Sequence, residues 1–471
     1  MITFDTAAST GEVQALVRTG FGWMPYCRYY LLEVTDCALA RERLKQLVDS
    51  DGMQFAAQFP SRAPRDDAPG PVTKTPVQSV QIAFTYHGLI AMGLRETEQR
   101  PFPTAYSMGM SSLERAGLLG DPDPGGWEWN DGRTHVLLAC FSTMPFDEAS
   151  AMPLIDGVTG PSGMVLLKVV ETCPYYVNAG TEPFGFKDGL SQPRIEGLHD
   201  VRESDPNAVA PGEILLGHVN VYGERAYCPD VQGFRECFTE SPGFGYNGSF
   251  IAVRQIRQDV PAFDAFRKQW RAQSATGGVS LVERMMRRRE GGDPILACPA
   301  EQTGNDFLFR LDDSEGFHCP RGSHVRRANP RDVLAWDRES GVFASRLHRI
   351  LRRGRAYRGA AACADAGQRC ASESAACGGC GQGLFFMALN ADIERQFEFI
   401  QGRWLANNKF ADLWDEDDPI LGRAGRSFST AGFEPVGSRH ANLPAFTEVI
   451  GGGYFFLPSR SALRFIAGLR G

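Results

Sequence analysis

One histidine lies between small residues and a cluster of arginines. The segment Gly316-Phe-His-Cys-Pro-Arg-Gly-Ser-His-Val-Arg-Arg-Ala-Asn-Pro-Arg331 places Gly-Ser directly before His324. The two small residues leave room for a flat macrocycle, and Arg326, Arg327 and Arg331 can bind two carboxylates through charge-assisted bonds. An isolated histidine is more often a surface or core residue, but histidine is also a usual axial ligand of haem iron. In this context, the pattern predicts a haem site with His324 as the metal ligand.

Other segments accompany this one in a recognisable order. His324-Val-Arg-Arg-Ala-Asn-Pro-Arg resembles the proximal-histidine segment of the dye-decolorizing peroxidase family, and Phe184-Gly-Phe-Lys-Asp-Gly-Leu-Ser-Gln-Pro193 resembles its Gly-x-x-Asp-Gly signature. The similarity covers most of the chain from about residue 76 and continues through Pro211-Gly-Glu-Ile-Leu-Leu-Gly217, Asn247-Gly-Ser-Phe, Arg349-Ile-Leu-Arg-Arg-Gly354, Gly383-Leu-Phe-Phe, Ile393-Glu-Arg-Gln-Phe-Glu-Phe399 and Gly451-Gly-Gly-Tyr-Phe-Phe-Leu-Pro458.

The resemblance implies a fold and a cofactor. We expect an α+β protein with two ferredoxin-like domains of the dimeric α+β barrel type, each with an antiparallel sheet and packed helices. Haem b would lie mainly in the second domain. A polar stretch containing prolines, 203–212, predicts the boundary between a domain over 1–205 and a haem-binding domain over 206–471. The 471 residues suffice for two cores, because single cores stop growing at roughly 250 to 300 residues.

Peroxide cleavage at haem requires a proton acceptor and a positive group on the open face of the porphyrin. Asp188 and Arg352 can supply them. An Asp-Gly pair alone is usually only a turn, but the surrounding family motif favours a catalytic Asp188, and the absent side chain of Gly189 would let the backbone lie close to the ring. Carboxylates titrate near pH ~4 in general, so we expect best turnover under acidic conditions.

The arginine is chosen by resemblance, as the first of the Arg352-Arg353 pair. Adjacent residues on an extended chain point in opposite directions, so Arg353 is expected to be an exposed or propionate-facing neighbour. The continuation Gly354-Arg-Ala-Tyr-Arg-Gly359 departs from the family's usual Gly-Ile-Pro-Tyr-Gly, which leaves the local loop shape open.

Three other residues complete the predicted site. Leu384 and Phe386 point to one face of a probable strand and resemble the apolar residues that wall the distal pocket, although a plain core role is almost as consistent with the sequence. Asp418 is the candidate carboxylate for accepting the proton of the proximal imidazole. The adjoining acids, 415–417, are alternatives.

Two helical patterns and one basic run support the organisation. Residues 36–50 predict a helix capped by Asp36, and 392–406 place apolar residues along one buried stripe. The run Ser280-Leu-Val-Glu-Arg-Met-Met-Arg-Arg-Arg289 predicts a helix with a basic end, interpreted as a solvated last turn rather than an anion site.

Four of the 12 cysteines cluster in a loop over 360–383, namely Cys363, Cys370, Cys377 and Cys380. This cluster departs from the family's pattern. A reduced flexible loop, a disulfide and a tetrahedral zinc site are all compatible with the spacing. The other cysteines are scattered, as reduced thiols are.

Composition limits location and partners. A net charge of −7 argues against a nucleic-acid partner, which would favour a basic protein. The N-terminal residues lack the basic and apolar regions of a secretory signal, and no apolar run approaches the ~18 residues of a membrane span. We therefore expect a cytoplasmic location and no membrane contact, and the sequence leaves the oligomeric state open.

Together these features predict a haem b peroxidase that uses hydrogen peroxide to oxidise dyes, phenolic compounds or other small one-electron donors. For donors too large for the pocket, Trp336, Tyr357 and Trp404 are candidate relays. The alternatives are a haem-carrying or haem-processing protein, a catalase-like enzyme and a cysteine-dependent metal sensor.

Overall fold

The computed structural model describes most of the chain. The described residues are 10–59, 77–121, 123–146, 163–201, 205, 207–271, 279–289, 295, 307–358, 381–432 and 437–469. The four clustered cysteines lie outside these residues, and the cysteines inside them carry free thiols. Within the described ranges, no helix combines the length and the apolar character needed to cross a membrane.

The architecture is built on one large sheet. In chain order the strands are β1 Tyr26–Val34, β2 Gln78–Phe84, β3 Trp129–Asn130, β4 Val136–Ser142, β5 Met164–Glu171, β6 Arg194–Ile195, β7 Ala208–Val209, β8 Ser249–Gln258, β9 Leu351–Arg352, β10 Arg355–Arg358, β11 Gln382–Asn390, β12 Arg426–Ala431, β13 Gly437–Leu443 and β14 Thr447–Leu457. The 10-stranded sheet follows the order β10-β11-β8-β14-β2-β4-β1-β5, with β3 paired to β14 and β9 paired to β11. All neighbours on the main path are antiparallel.

The two outer strands of this path also meet. Thr172, next to β5, forms an antiparallel bridge with Tyr357 of β10, and the Cys173 N–H donates to Ala356 O at 3.1 Å. The sheet therefore closes on itself, which leaves few unpaired strand edges. Its strands carry apolar side chains on both faces, as in β4, where every residue is buried.

Helices pack against this sheet. They are α1 Ala15–Arg18, α2 Cys37–Val48, α3 Tyr86–Ala91, α4 Thr104–Met108, α5 Leu113–Leu119, α6 Pro174–Ala179, α7 Phe234–Cys237, α8 Val260–Arg271, α9 Leu281–Met286, α10 Phe309–Asp312, α11 His324–Ala328, α12 Arg338–Arg346 and α13 Arg460–Gly468. As predicted, Asp36 caps α2, where its carboxylate accepts the N–H groups of Ala38 and Leu39. Leu44 of α2 and Leu463 of α13 share one core, so these two helices pack together.

The predicted apolar stripe over 392–406 is buried, but its backbone is wider than an α-helix. Glu394–Glu398 and Ile400–Leu405 form π-type turns, and Phe397 and Trp404 remain in core clusters. A π-type turn shifts the angular position of every later side chain, which an α-helical pattern does not reveal.

The α+β class with antiparallel pairing is confirmed. Strands from both halves of the chain share the large sheet, joined where Phe84 of β2 pairs with Phe456 of β14. The boundary near residue 205 stays a prediction.

One partly buried histidine, His199, makes the stability of the fold depend on pH. The His199 Nδ1 accepts the Ile195 N–H at 2.9 Å, and its Nε2 is 3.0 Å from Arg18 O, which fixes the neutral ring with the proton on Nε2. Burial lowers the pKa of His199 to about 4. The unfolded chain therefore binds more protons between roughly pH 6.5 and the folded-state value, so stability is complete above that window and declines as the pH falls through it.

We expect His199→Asn, which keeps an acceptor near the Nδ1 position, to reduce the loss of stability between pH 6.5 and about pH 4. Urea unfolding at several pH values measures this effect. The exposed His87 provides the control His87→Asn, whose pH dependence should match that of the wild type. Equal pH dependence in both variants would contradict the assignment.

Candidate functional site

His324 is the first residue of α11. The Ser323 Oγ caps this helix by accepting the Arg326 N–H at 3.4 Å, and Ser323 is fully buried. A side chain at Gly322 would approach Glu416 Oε2 to 3.0 Å. The small residues before His324 therefore serve the helix start and its packing against residue 416. That they also leave room for a macrocycle stays a prediction.

The His324 ring is oriented by a buried carboxylate. Its Nδ1 lies 2.9 Å from Asp418 Oδ2, and the Asp418 side chain is 1% exposed. The other oxygen, Oδ1, accepts the N–H groups of Ile420 and Leu421. Burial by itself would raise the pKa of Asp418, but the His324 imidazole and the Arg327 guanidinium outweigh it and hold that pKa below the usual range.

An ionised Asp418 accepts a hydrogen bond from the Nδ1–H group, and this leaves the ring's available lone pair on the His324 Nε2. The His324 side chain is 26% exposed, so this nitrogen is not sealed in the core. The neighbouring acids point elsewhere: Asp415 pairs with Arg439, Glu416 accepts the Ser429 N–H, and Asp417 pairs with Arg426.

Two of the three arginines after His324 have other partners. The Arg327 guanidinium donates to the backbone oxygens of Gly322, Trp404, Asn407 and Glu416. Arg326 donates to those of Asp313, Ser314 and Cys319. Both side chains are buried. Their donors thus stabilise the surrounding loops, and the structure corrects the prediction that Arg326 and Arg327 bind propionates.

Arg331, in contrast, reaches the loop that follows Asp188. Its Nη2 donates to Ser191 Oγ at 3.2 Å, and its guanidinium lies over the Phe307 ring. The Arg349 Nη2 donates to Ser191 O at 2.9 Å, and the Arg352 Nη2 donates to Leu190 O at 3.0 Å. Three arginines from two segments therefore hold two consecutive residues of one loop.

This loop brings Asp188 and Arg352 into the same neighbourhood. The Arg352 backbone N–H donates to Gln192 Oε1 at 3.1 Å. Asp188 is exposed, and its Oδ1 accepts the Gly189 N–H. Gly189 has φ +77°, a conformation that favours glycine, and a Cβ there would meet open space.

The sheet supplies the wall beside Arg352. Arg352 of β9 lies opposite Ala388 of β11, so it shares a face with the half-buried Leu384 and Phe386. The neighbouring Arg353 turns to the other side and donates to Leu16 O and Val17 O. The predicted alternation is therefore present, although Arg353 is a packing residue rather than an exposed or propionate-facing one.

Further arginines lie around Arg352. Arg287, directly after α9, is fully buried, and its Nε and Nη2 have no hydrogen-bond partner. Burial and the charges of Arg287 and Arg352 lower the pKa of Arg288 to about 10, and burial and the charges of Arg352 and Arg346 do the same to Arg349. Two of the three arginines at the basic end of this helix, Arg287 and Arg288, are thus buried, which corrects the solvated-turn interpretation for them.

These observations test whether the residues fit haem. Buried cations that repel one another, with orphaned guanidinium donors among them, fit a site that receives anionic groups such as two propionates. An imidazole with an available Nε2 fits an axial iron ligand. Among the described residues, no group of three or more His, Cys, Asp or Glu could hold a metal ion. The residues present therefore fit the group.

Sequence reasoning missed Arg288, Arg349 and Ser191 as parts of this site. Arg349 belongs to a recognised motif and could have been considered, whereas Arg288 was assigned to a solvated face. Of the candidate relays, Trp336 is 87% exposed, while Tyr357 and Trp404 are buried. Trp414, 72% exposed, stands four positions before Asp418 and was not considered.

Comparison with known proteins gives a consistent result. No family model matches the chain. A dye-decolorizing peroxidase of Mycetinis scorodonius is 26% identical over 425 residues, covering 83% of this chain and 77% of the relative. One from Mycena epipterygia is 26% identical over 483 residues, covering 92% and 86%.

Solved structures agree. An ancestral D-type dye-decolorizing peroxidase superposes with a TM-score of 0.73 at 25% identity, covering 98% of this chain and 99% of the other. A dye-decolorizing peroxidase in complex with 2,6-dimethoxyphenol superposes with a TM-score of 0.70 at 24% identity and the same coverage, which shows the shared fold. In sequence over most of its length, and in fold, the chain is similar to dye-decolorizing peroxidases.

Proposed function

We propose that this protein is a haem b peroxidase that reduces hydrogen peroxide while it oxidises dyes, phenolic compounds or other one-electron donors. One observation carries the proposal: the segment that begins with the Asp418-bound His324 continues to Arg331, which contacts the same loop as Arg352, directly after Asp188. A proximal ligand, a proton acceptor and a cation are thereby tied into one unit.

His324 would hold the iron through Nε2, with Asp418 fixing the ring and making it a stronger donor. Haem, when bound, supplies the iron at which the O–O bond of peroxide is cleaved. Arg288, Arg331 and Arg349 are the proposed partners of the propionates, replacing Arg326 and Arg327. Leu384 and Phe386 would wall the open face, and Gly189 would allow close approach of the backbone.

Asp188 would take a proton from hydrogen peroxide and return it to the departing oxygen, so that water leaves. Arg352 would stabilise the negative charge on that oxygen, because its guanidinium is held in place by Leu190 O before the reaction begins. The exposed Asp188 can exchange protons with solvent between turnovers.

The donor is proposed by analogy. A related structure holds 2,6-dimethoxyphenol, which supports a phenolic donor for this chain. Trp336 is the proposed relay for larger donors, since Tyr357 and Trp404 are buried. A cytoplasmic location is proposed from the scattered cysteines, whose described members carry free thiols.

We expect the haem-loaded protein to oxidise 2,6-dimethoxyphenol only when hydrogen peroxide is present, fastest under acidic conditions, and without releasing oxygen. Donor absorbance and an oxygen electrode measure the two quantities. His324→Ala serves as the control, because it should lose most haem or change the axial-ligand spectrum.

Three outcomes would contradict the proposal. Oxygen release without a donor would indicate a catalase-like enzyme, and stable haem binding without turnover would indicate a haem carrier. A spectrum of His324→Ala identical to that of the wild type would remove His324 as the ligand.

Arg288→Gln should weaken haem binding roughly tenfold to 100-fold, because a hydrogen bond to a charged group contributes about 1.5–3 kcal/mol. Titration of the haem-free protein, followed by absorbance, measures the affinity. Arg289, the next residue, is exposed, so Arg289→Gln should bind haem like the wild type. Equal affinities of the two variants would exclude Arg288 from the propionate site.

A further inference from the structure

A short hairpin carries Asp188. The Asp188 N–H donates to Gly180 O at 3.0 Å, and Thr181 pairs with Lys187. Further along, the Glu182 N–H donates to Phe186 O at 2.9 Å, and the Gly185 N–H donates back to Glu182 O. Asp188 is therefore the last residue of this hairpin, and the position of its backbone depends on the hairpin being held in place.

One buried carboxylate ties the hairpin together. The Glu182 Oε1 accepts the Phe186 N–H at 2.9 Å, and its Oε2 accepts the Phe184 N–H at 2.9 Å. Oε2 also accepts the Gln258 Nε2 at 2.8 Å, which connects the hairpin to the end of β8. Glu182 is 8% exposed, so these bonds are shielded from water.

Packing holds the tip of the hairpin from outside. The Phe184 ring stacks on Phe263 of α8 at 4.1 Å between centroids, and Phe186 is 1% exposed. These rings fix the tip of the hairpin by packing. The Glu182 carboxylate adds three hydrogen bonds, two from the hairpin backbone and one from the Gln258 side chain of β8.

We infer that Glu182 is a positioning residue for the peroxide reaction, holding the hairpin so that Asp188 stands beside the loop bound by Arg352. The inference rests on the proposed function. Glutamine cannot replace this carboxylate, because its amide NH₂ would face a backbone N–H at one of the two oxygen positions and at least one bond would be lost.

Two measurements on Glu182→Gln test the inference. Hydrogen exchange of the haem-free protein, followed by mass spectrometry, should be about tenfold faster in peptides covering 180–189 and unchanged elsewhere. After haem loading, the second-order rate constant with hydrogen peroxide should fall about tenfold per haem, while the resting spectrum stays unchanged. A purely structural role would reduce stability or loading without changing the rate per haem.

Matched variants keep the test decisive. Glu213 is a carboxylate with 1% side-chain exposure that accepts hydrogen bonds from Arg395 and the Val221 N–H. Glu213→Gln should therefore leave the hydrogen exchange of peptides 180–189 and the rate constant with peroxide unchanged. If Glu182→Gln does not fold, Gln258→Leu removes only the bond to β8 and should give a smaller change in both.

The outcomes separate the two claims. Wild-type exchange and a wild-type peroxide rate in Glu182→Gln would overturn the inference alone. A fully loaded wild type that does not react with peroxide would overturn the proposed function and with it the inference.

Discussion

The Leu190-Ser191 segment is the constraint on which the site depends, because arginines from two segments of the chain bind its backbone and the Ser191 hydroxyl. Arg331 follows the predicted iron ligand, while Arg349 and Arg352 come from the segment leading into β9. Bonds from charged donors are stronger than those from neutral ones. Each guanidinium group also repels the other guanidinium groups, so the arginine cluster is stable only when anionic or carbonyl oxygens face it. Backbone carbonyls supply some of these acceptor oxygens, and we propose that haem propionates supply the others.

Arginines around His324 thereby divide into two groups with different tasks. Arg326 and Arg327 are buried and bind backbone oxygens of several loops. Burial of a polar group without a partner is unfavourable, so these two side chains stabilise the loops behind the histidine. Arg288 and Arg349, far apart in sequence, are the ones whose charges meet near Arg352.

Sequence reasoning succeeds here where the information is local. The pairing of His324 with Asp418 agrees with the structure, and so does the opposite direction of Arg352 and Arg353, which follows from strand geometry. Sequence reasoning fails where residues from distant segments determine the partners of a side chain. Nothing near Arg327 predicts that residues 404, 407 and 416 will offer it carbonyls, and the left-handed Arg287 after α9 turns a basic run inward. The domain boundary and the catalytic roles stay predictions.

The most direct test follows the reaction of the haem-loaded protein with hydrogen peroxide by stopped-flow absorbance. General acid–base catalysis contributes roughly 10²- to 10⁴-fold, so Asp188→Ala should slow the spectral change by about that factor, and Arg352→Leu should also slow it. Lys187→Ala, which alters the exposed neighbour of Asp188, should react like the wild type. A fully loaded wild type that keeps its ferric spectrum, or an Asp188→Ala variant that reacts at the wild-type rate, would contradict the assignment of peroxide cleavage to this site.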